Sequence, residues 1–210
     1  MRAARWLIAV AIAVGLCWRF PLFHAIPLKT AVAEKAAAAF DPAEFAGTFW
    51  TNQLLPSLTK AVNSETLLPA IQADAAAAKT NYSRSVGMGG SYFYFLSGTG
   101  RVVAVSDDEV SLAINDSSTN KEVALQTGLV FGNALRDGTG LLNVNDYPNS
   151  QDFNAISEAL NHIVETRVLP QLHNQAKVGA KIYFTGCAEV DDESSDLKPL
   201  KVIPIQTEPR

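Results

Sequence analysis

The stretch 91–131 constrains the fold most, because it predicts three consecutive β-strands joined by short polar turns. The first predicted strand, 92–105, contains two glycines that permit a sharp bend or a bulge. In the second, 110–115, apolar residues alternate with smaller or polar ones, as in a half-buried strand. The third runs over 123–131. Consecutive strands with such short connections predict an antiparallel sheet at the centre of the fold.

Two further strands and one helix complete the predicted sheet. A helix is predicted over 151–173, where apolar residues recur at helical spacing, and strands are predicted over 181–190 and 200–205. The two prolines around the last strand favour an edge position for it. Five strands with a helix between the third and the fourth are the order of an OB-like Greek-key β-barrel. The predicted class is therefore α+β, with residues 91–210 as the barrel.

Residues 41–90 predict a helical layer that packs on this barrel. Asp41 is followed by a proline and, three positions on, by a glutamate, which is a helix-start signature. Ser64 and Asp74 are predicted to cap two further helical segments. We expect the layer and the barrel together, residues 41–210, to form one globular unit.

Residues 1–23 predict a membrane anchor. Two arginines precede an uncharged apolar run over 6–18, which is the pattern of an export signal. If Arg19 snorkels, the apolar stretch reaches the length that a tilted membrane helix needs. No pair of small residues suited to cleavage closely follows the run, so the sequence favours an uncleaved, single-pass anchor in the inner membrane, with 24–40 as a tether. The positive N-terminus predicts a C-terminal domain in the periplasm.

Cys17 lies in this apolar run and is a candidate site of lipid attachment. Lipidation would follow cleavage of the leader and would replace the membrane span. Leu16, directly before the cysteine, is large where small residues are typical. The favoured interpretation is therefore an uncleaved helix in which Cys17 is a small apolar residue.

The distribution of charge argues against a nucleic-acid partner. The net charge is −4, and from Ser91 onward 16 acidic side chains stand against 9 basic ones, a balance of −7. Such a surface repels a phosphate backbone. No Ser/His/Asp or Cys/His set has a family-like spacing, and the cysteines and histidines lack metal-site spacing. We predict no catalytic set, no metal and no cofactor; the sequence specifies no oligomeric state.

Six short motifs along 40–205 resemble an uncharacterised family of predicted periplasmic lipoproteins. In order, they are Phe40-Asp41-Pro42, Gly98-Thr99-Gly100-Arg101-Val102-Val103-Ala104-Val105, Ala134-Leu135-Arg136-Asp137, Asn145-Asp146-Tyr147, Ala159-Leu160-Asn161 and Phe184-Thr185-Gly186. The resemblance implies an OB-like barrel, no established activity, and genes beside sugar ABC-transporter operons. It thus implies a role in support of extracytoplasmic transport. Members of the family usually end the leader with a well-framed lipidation cysteine, and Cys17 departs from that pattern.

The candidate ligand or partner contacts are polar side chains that follow the third strand or lie on the next helix: Arg136, Asp137, Asn145, Asp146 and Asn161. An arginine with carboxylates offers the planar, paired contacts that bind sugar hydroxyls. The alternative is structural: Arg136 pairs with Asp137 or Asp146 to tie a long loop, and Asn161 contacts that loop. Both interpretations stay open at this point.

Three functions fit these observations. The one we favour is a non-catalytic, membrane-tethered accessory or binding module linked to sugar ABC transport. The second is a carbohydrate-active hydrolase with Asp137 and Asp146 as acid and base, which requires two carboxyls about 5–10 Å apart across an open cleft. The third is single-stranded nucleic-acid binding through the aromatic run 92–95, which the acidic balance opposes.

Overall fold

The computed structural model describes Trp6 and residues 40–86, 90–115, 118–147 and 149–210. The chain divides into two units, Met1–Phe40 and Asp41–Arg210, and every element named below belongs to the second. Of the helices in the described residues, none is both long and apolar enough to cross a bilayer. Cys17 lies outside the described residues, as do the predicted anchor 1–23 except for Trp6 and the predicted tether 24–40 except for Phe40.

The first helix begins where the sequence predicts. Asp41 caps α1 (Pro42–Phe49), its Oδ1 accepting from the backbone N–H of Ala43 at 2.9 Å and of Glu44 at 3.1 Å. The chain continues through a π-helical turn, Trp50–Leu54, into the short α2 (Leu55–Ser57) and a 3₁₀ turn. The second residue of α2 is a proline, which has no N–H to donate to the turn before it. The irregular turn lies where this donor is missing.

Two helices follow, α3 (Ser64–Ala73) and α4 (Ala75–Tyr82). Asp74 caps α4 as predicted, accepting from the N–H of Ala77 at 3.0 Å. The predicted cap of α3 is wrong by one residue, because Asn63 Oδ1 accepts from the N–H of Glu65 at 2.8 Å. The Ser64 side chain is instead fully buried.

Five strands pair in a closed ring, and their residue ranges are β3 (Tyr92–Val105), β4 (Glu109–Ala113), β5 (Val123–Gln126), β6 (Lys181–Val190) and β7 (Leu200–Pro209). The order around the ring is β3-β4-β5-β7-β6, and β6 pairs back with β3. Only the β5–β7 pair of this ring is parallel. Two short strands, β1 (Val62–Asn63) and β2 (Ser83–Ser85), pair with β3 outside the ring.

The length and the bend of β3 close the ring. Its first ten residues pair with β6, and four of its last five pair with β4. The register shifts between Val102 and Ala104, so the strand carries a bulge, but the bulge lies beyond the two glycines that predict it, which pair regularly with β6. Gly98 allows α3 to approach the strand, because a Cβ at this position would overlap the Ser64 side chain.

Two predictions about the strands are wrong. β5 ends at Gln126 instead of Phe131, because β7 pairs with it only over 123–125 and the chain then leaves the sheet. β7 is not an edge strand, since it pairs with β5 on one side and with β6 on the other. Pro204 is tolerated there because it lies opposite Gly186, where the register shifts and the ladder is irregular.

A helical run between β5 and β6 covers the ring. It comprises α5 (Ala134–Asp137), α6 (Ser150–Ile163), a π-helical turn (Val164–Val168) and α7 (Leu169–Gln175). Asn149 caps α6, its side chain accepting from the N–H of Asp152 at 2.8 Å. The apolar stripe of α6 is buried, and α6 packs on α1 and α5 while α7 packs on β7. A last short helix, α8 (Glu193–Asp196), connects β6 to β7.

Candidate functional site

Arg136 and Asp137 form a buried ion pair on α5. Asp137 Oδ1 accepts from Arg136 Nε and Oδ2 accepts from Nη2, both at 2.8 Å. Only 6% of Arg136 and 4% of Asp137 is exposed. Arg136 Nη1 also donates to the Phe153 carbonyl at 3.3 Å and to Asn154 Oδ1 at 3.1 Å, and the guanidinium lies 3.9 Å from the centre of the Phe153 ring. The pair therefore ties α5 to α6, in agreement with the structural interpretation of these two residues.

Asn145 and Asp146 lie in a different environment from the buried Arg136–Asp137 pair. Both are exposed in a 3₁₀ turn, Val144–Asp146, which Asn143 stabilises by accepting from the N–H of Asn145 at 3.0 Å. Within the described ranges, no hydrogen bond or ion pair joins this turn to the buried pair. Since Arg136 already binds both oxygens of the buried Asp137, the geometry gives no support to a hydrolase that uses Asp137 and Asp146 across an open cleft.

A cleft of about 560 Å³ lies between α6 and the segment 130–133. We call it the α6 cleft. The helical run lines it with Asn154, Ser157, Glu158, Asn161, His162 and Glu165. Its volume lies in the range that is typical of small-molecule sites.

Asn161, one of the predicted contact residues, lies in the floor of the α6 cleft. Its Nδ2 donates to the Gly132 carbonyl at 3.1 Å, which fixes the orientation of the amide. Its Oδ1 is buried and accepts no hydrogen bond from any residue that the structure describes. Beside it, Ser157 Oγ donates to Asn133 Oδ1 at 3.0 Å, and the N–H of Asn133 donates to Glu189 at 3.2 Å. The cleft is thus lined by polar groups that are fixed by hydrogen bonds within the protein.

The carboxylates of the α6 cleft give it an acidic character. Glu158 is exposed, whereas Glu165 is anchored: its Oε1 accepts from the N–H of Val130 at 3.0 Å and its Oε2 lies 3.8 Å from His162 Nδ1. The described residues that line the cleft include neither lysine nor arginine. Behind the segment 130–133, burial raises the pKa of Glu189 above its usual range. An anion entering the cleft would therefore meet carboxylates and no fixed cation.

Phe131 belongs to this cleft and was missed by the sequence interpretation. Its side chain is 73% exposed at the edge of the cleft. The sequence predicts a strand over 123–131, and a strand would place Phe131 in the sheet. Gly128 and Gly132 bracket the segment and are the signal that marks it as a loop.

The other sequence-based alternatives find little support in the structure. No group of three or more His, Cys, Asp or Glu within the described part of the chain is placed to hold a metal. Of the aromatic run 92–95, the first three residues are buried and Phe95 is half-buried, so the run offers no exposed stacking platform for bases. Cys187 is buried in β6, and burial raises the pKa of its thiol far above the usual range.

The ring order, with helices between β5 and β6, defines the class of fold. The structure is similar to that of an OB-fold protein from Thermotoga maritima MSB8, with a TM-score of 0.73 and 24% sequence identity over 82% of this chain and 99% of that chain. At this identity the likeness shows the fold alone, so the chain has an OB-type fold in an α+β framework. No curated protein matches the sequence significantly.

The family follows from a second comparison. The family model described as "Predicted periplasmic lipoprotein (DUF2291)" matches residues 7–208, and this chain belongs to that family. The resemblance that the six motifs indicate is thus confirmed, and with it a membrane-associated location on the periplasmic side. The choice between an uncleaved helix and a lipid on Cys17 stays a prediction.

Proposed function

We propose that this chain is a non-catalytic accessory or binding module that serves a sugar ABC transporter. In this proposal residues 1–23 hold it at the inner membrane, as an uncleaved single-pass helix or through a lipid on Cys17, and residues 41–210 lie in the periplasm. The observation that carries the proposal is the α6 cleft, an open cleft of small-molecule size in a chain of a periplasmic family.

Four of the polar side chains that line the α6 cleft are uncharged, and these support a binding role: Asn133, Asn154, Ser157 and Asn161. Ser157 donates to Asn133, Asn161 donates to the Gly132 carbonyl, and none of these side chains titrates in the physiological range. Glu165 is already used to hold Val130, and the nearby Asp137 is neutralised by Arg136. Fixed neutral donors and acceptors orient a ligand, whereas general acid–base chemistry needs a group poised to gain and lose a proton.

Affinity purification tests the partner. The full-length chain carries a tag after Arg210, which is exposed, and is recovered from gently solubilised membranes of its native cells. We expect enrichment of sugar ABC-transporter subunits over an untagged control, measured by quantitative mass spectrometry. Repeated recovery of the chain without these subunits would contradict the link to transport.

A pair of fusions tests the location. An alkaline phosphatase fused after Arg210 is expected to be active, and a fluorescent protein that folds only in the cytosol is expected to be dark. The opposite pattern would contradict a periplasmic domain. The intact mass of the purified chain, compared with that of a Cys17→Ser variant, separates an uncleaved leader from a lipidated one.

A further inference from the structure

We propose that the segment 127–133 docks onto a second protein whose surface offers an apolar pocket with lysine or arginine side chains at its rim, and that Leu129 and Phe131 enter this pocket. We call the segment the docking loop. The inference rests on the proposed function as an accessory module, and it names the surface of contact and the chemistry of the partner. Three features carry it: two exposed apolar side chains, the hydrogen bonds that fix the loop, and the charges around it.

The docking loop presents two large apolar side chains to solvent. Among the described residues of the unit 41–210, Leu129 and Phe131 are the most exposed of this kind, at 76% and 73%. Val130 between them is buried, so its two neighbours are turned outward together. Single exposed apolar residues are common on soluble proteins, but an apolar pair with a polar surround is typical of an interaction site.

Hydrogen bonds fix the docking loop at both ends and in the middle. At the first end, the N–H of Thr127 donates to the Asp108 carbonyl at 2.8 Å. In the middle, the N–H of Val130 donates to a glutamate of the helical run at 3.0 Å, and at the far end the N–H of Asn133 donates to a glutamate of β6 at 3.2 Å. A loop that is ordered before binding loses less entropy when it docks, so these bonds favour a docking role.

Acidic side chains surround the docking loop. The exposed Asp108 has its carboxylate beside the first glycine of the loop, and the exposed Glu158 lines the α6 cleft. On the other side of the loop, the exposed Asp191 lines a smaller cleft of about 280 Å³. Among the described residues that line the clefts beside the two apolar side chains, Lys201 is the one lysine or arginine, and it lies 3.1 Å from Asp196. The surround therefore attracts a positively charged rim.

The same charges decide against two other occupants. An anionic phospholipid surface is repelled by the carboxylates, since loops and helices that bind such surfaces combine apolar residues with lysine and arginine. A second copy of this chain, in a two-fold interface formed by the docking loop, would place the same carboxylates opposite each other. A protein with an apolar pocket and a basic rim gains both from the burial of the two side chains and from the attraction of opposite charges.

Photo-crosslinking in intact native cells tests the inference. A photoreactive analogue of phenylalanine replaces Leu129 or Phe131 in the full-length chain. In the matched control it replaces Val178, which is 70% exposed in the turn before β6 and lines none of the clefts beside the docking loop. Mass spectrometry identifies each crosslinked protein and maps the crosslinked position. We expect one protein to be crosslinked from 129 and 131 and not from 178, at an apolar pocket with lysine or arginine at its rim.

A double variant tests the apolar pair. Leu129→Ser with Phe131→Ser should lower co-purification of the crosslinked protein at least about tenfold, because buried apolar anchors carry most of the energy of an interface. Val178→Ser should leave it unchanged. Since all three side chains are exposed, we expect the thermal melts of these variants to match that of the wild type.

A charge reversal tests the acidic surround. Glu158→Lys should weaken co-purification of the crosslinked protein, and raised salt should weaken it for the wild type. Glu65→Lys is the control, because Glu65 is also an exposed glutamate on a helix but lines none of the clefts beside the docking loop. This control variant should behave as the wild type does.

Several outcomes would overturn the inference. They are the absence of a protein crosslink from 129 and 131, crosslinks only to phospholipid or to a second copy of the chain, a crosslinked position on an acidic or wholly polar surface, and a partner that the double serine variant retains as well as Val178→Ser does. The transporter link is judged separately. A partner that meets every criterion but is no transporter subunit supports the docking loop and contradicts the link to transport. Transporter subunits that co-purify equally with the double serine variant support that link and refute the docking loop.

Discussion

Replacing Asp137 with Asn should destabilise the protein strongly, because it leaves the Arg136 guanidinium buried without its counter-charge. The present pair is bidentate at 2.8 Å, with 6% and 4% of the two residues exposed. In Asp137→Asn, one oxygen becomes an NH₂ group that faces a donor of Arg136, and the neutralisation of the cation is lost. Breaking a buried pair from one side typically costs about 3–5 kcal/mol.

The lower end of that range is expected here. Arg136 keeps its bonds to the Phe153 carbonyl and to Asn154, and keeps its contact with the Phe153 ring. We therefore expect a loss of about 3 kcal/mol in the free energy of unfolding, which for a domain of this size corresponds to a fall in Tm of roughly 6–12 °C. Urea unfolding followed by circular dichroism, together with thermal melts, measures both quantities.

Two variants accompany this measurement. Asp146→Asn, which is the same change at an exposed position, should alter stability by less than about 0.5 kcal/mol. The double variant Arg136→Met with Asp137→Leu removes both charges and should recover most of the loss. If Asp137→Asn is as stable as Asp146→Asn, the assignment of the buried pair to a structural role is refuted.

Two further predictions concern stability. Asp196 accepts hydrogen bonds from the N–H of Asp192 and from Lys201, which lower its pKa to about 2 against the opposing effect of burial. The ionised form of Asp196 therefore adds about 2 kcal/mol to the free energy of unfolding at pH values above its unfolded-state pKa. In urea unfolding, the difference in stability between the wild type and Asp196→Asn should shrink as the pH falls from about 4 to 2. A difference in stability that does not change with pH would refute this. Gly98→Ala should lower the free energy of unfolding by about 1–3 kcal/mol, because the new methyl group overlaps Ser64. Adding Ser64→Gly should restore part of this loss. A Gly98→Ala variant as stable as the wild type would contradict the close packing of α3 on β3.

The strand order was accessible from sequence because it depends on local patterns. Alternation marked β4, and the acid-proline pair marked the start of α1. The glycines of β3 predicted an irregular strand, although its register shift lies beyond them. Each of these signals is contained in a few neighbouring residues. The order of three strands, a helix and two strands then predicts the ring.

The errors arose where a distant partner decides the structure. Judged from its neighbours in sequence, Pro204 predicts that β7 is an edge strand of the sheet. Because Pro204 lies opposite the register shift at Gly186, β7 can nevertheless pair on both sides. Phe131 follows a strand-like pattern, but β7 pairs with β5 only as far as residue 125. The same limit applies to the candidate site. Asn161 was found as a polar residue on the predicted helix and in one of the six motifs, whereas its partner Gly132 could be identified only from the contact between the loop and α6.

An amide NMR titration of the isotope-labelled full-length chain with a neutral sugar tests the central claim most directly. A second cavity, of about 550 Å³, lies beside α3 and includes Thr99 and Lys181, and it serves as an internal reference. The account predicts concentration-dependent shifts at the backbone amides of 130–133 and at the side-chain amide of Asn161, with the reference cavity unchanged. Shifts confined to Thr99, Lys181 and their neighbours, or no shifts at all, would contradict it.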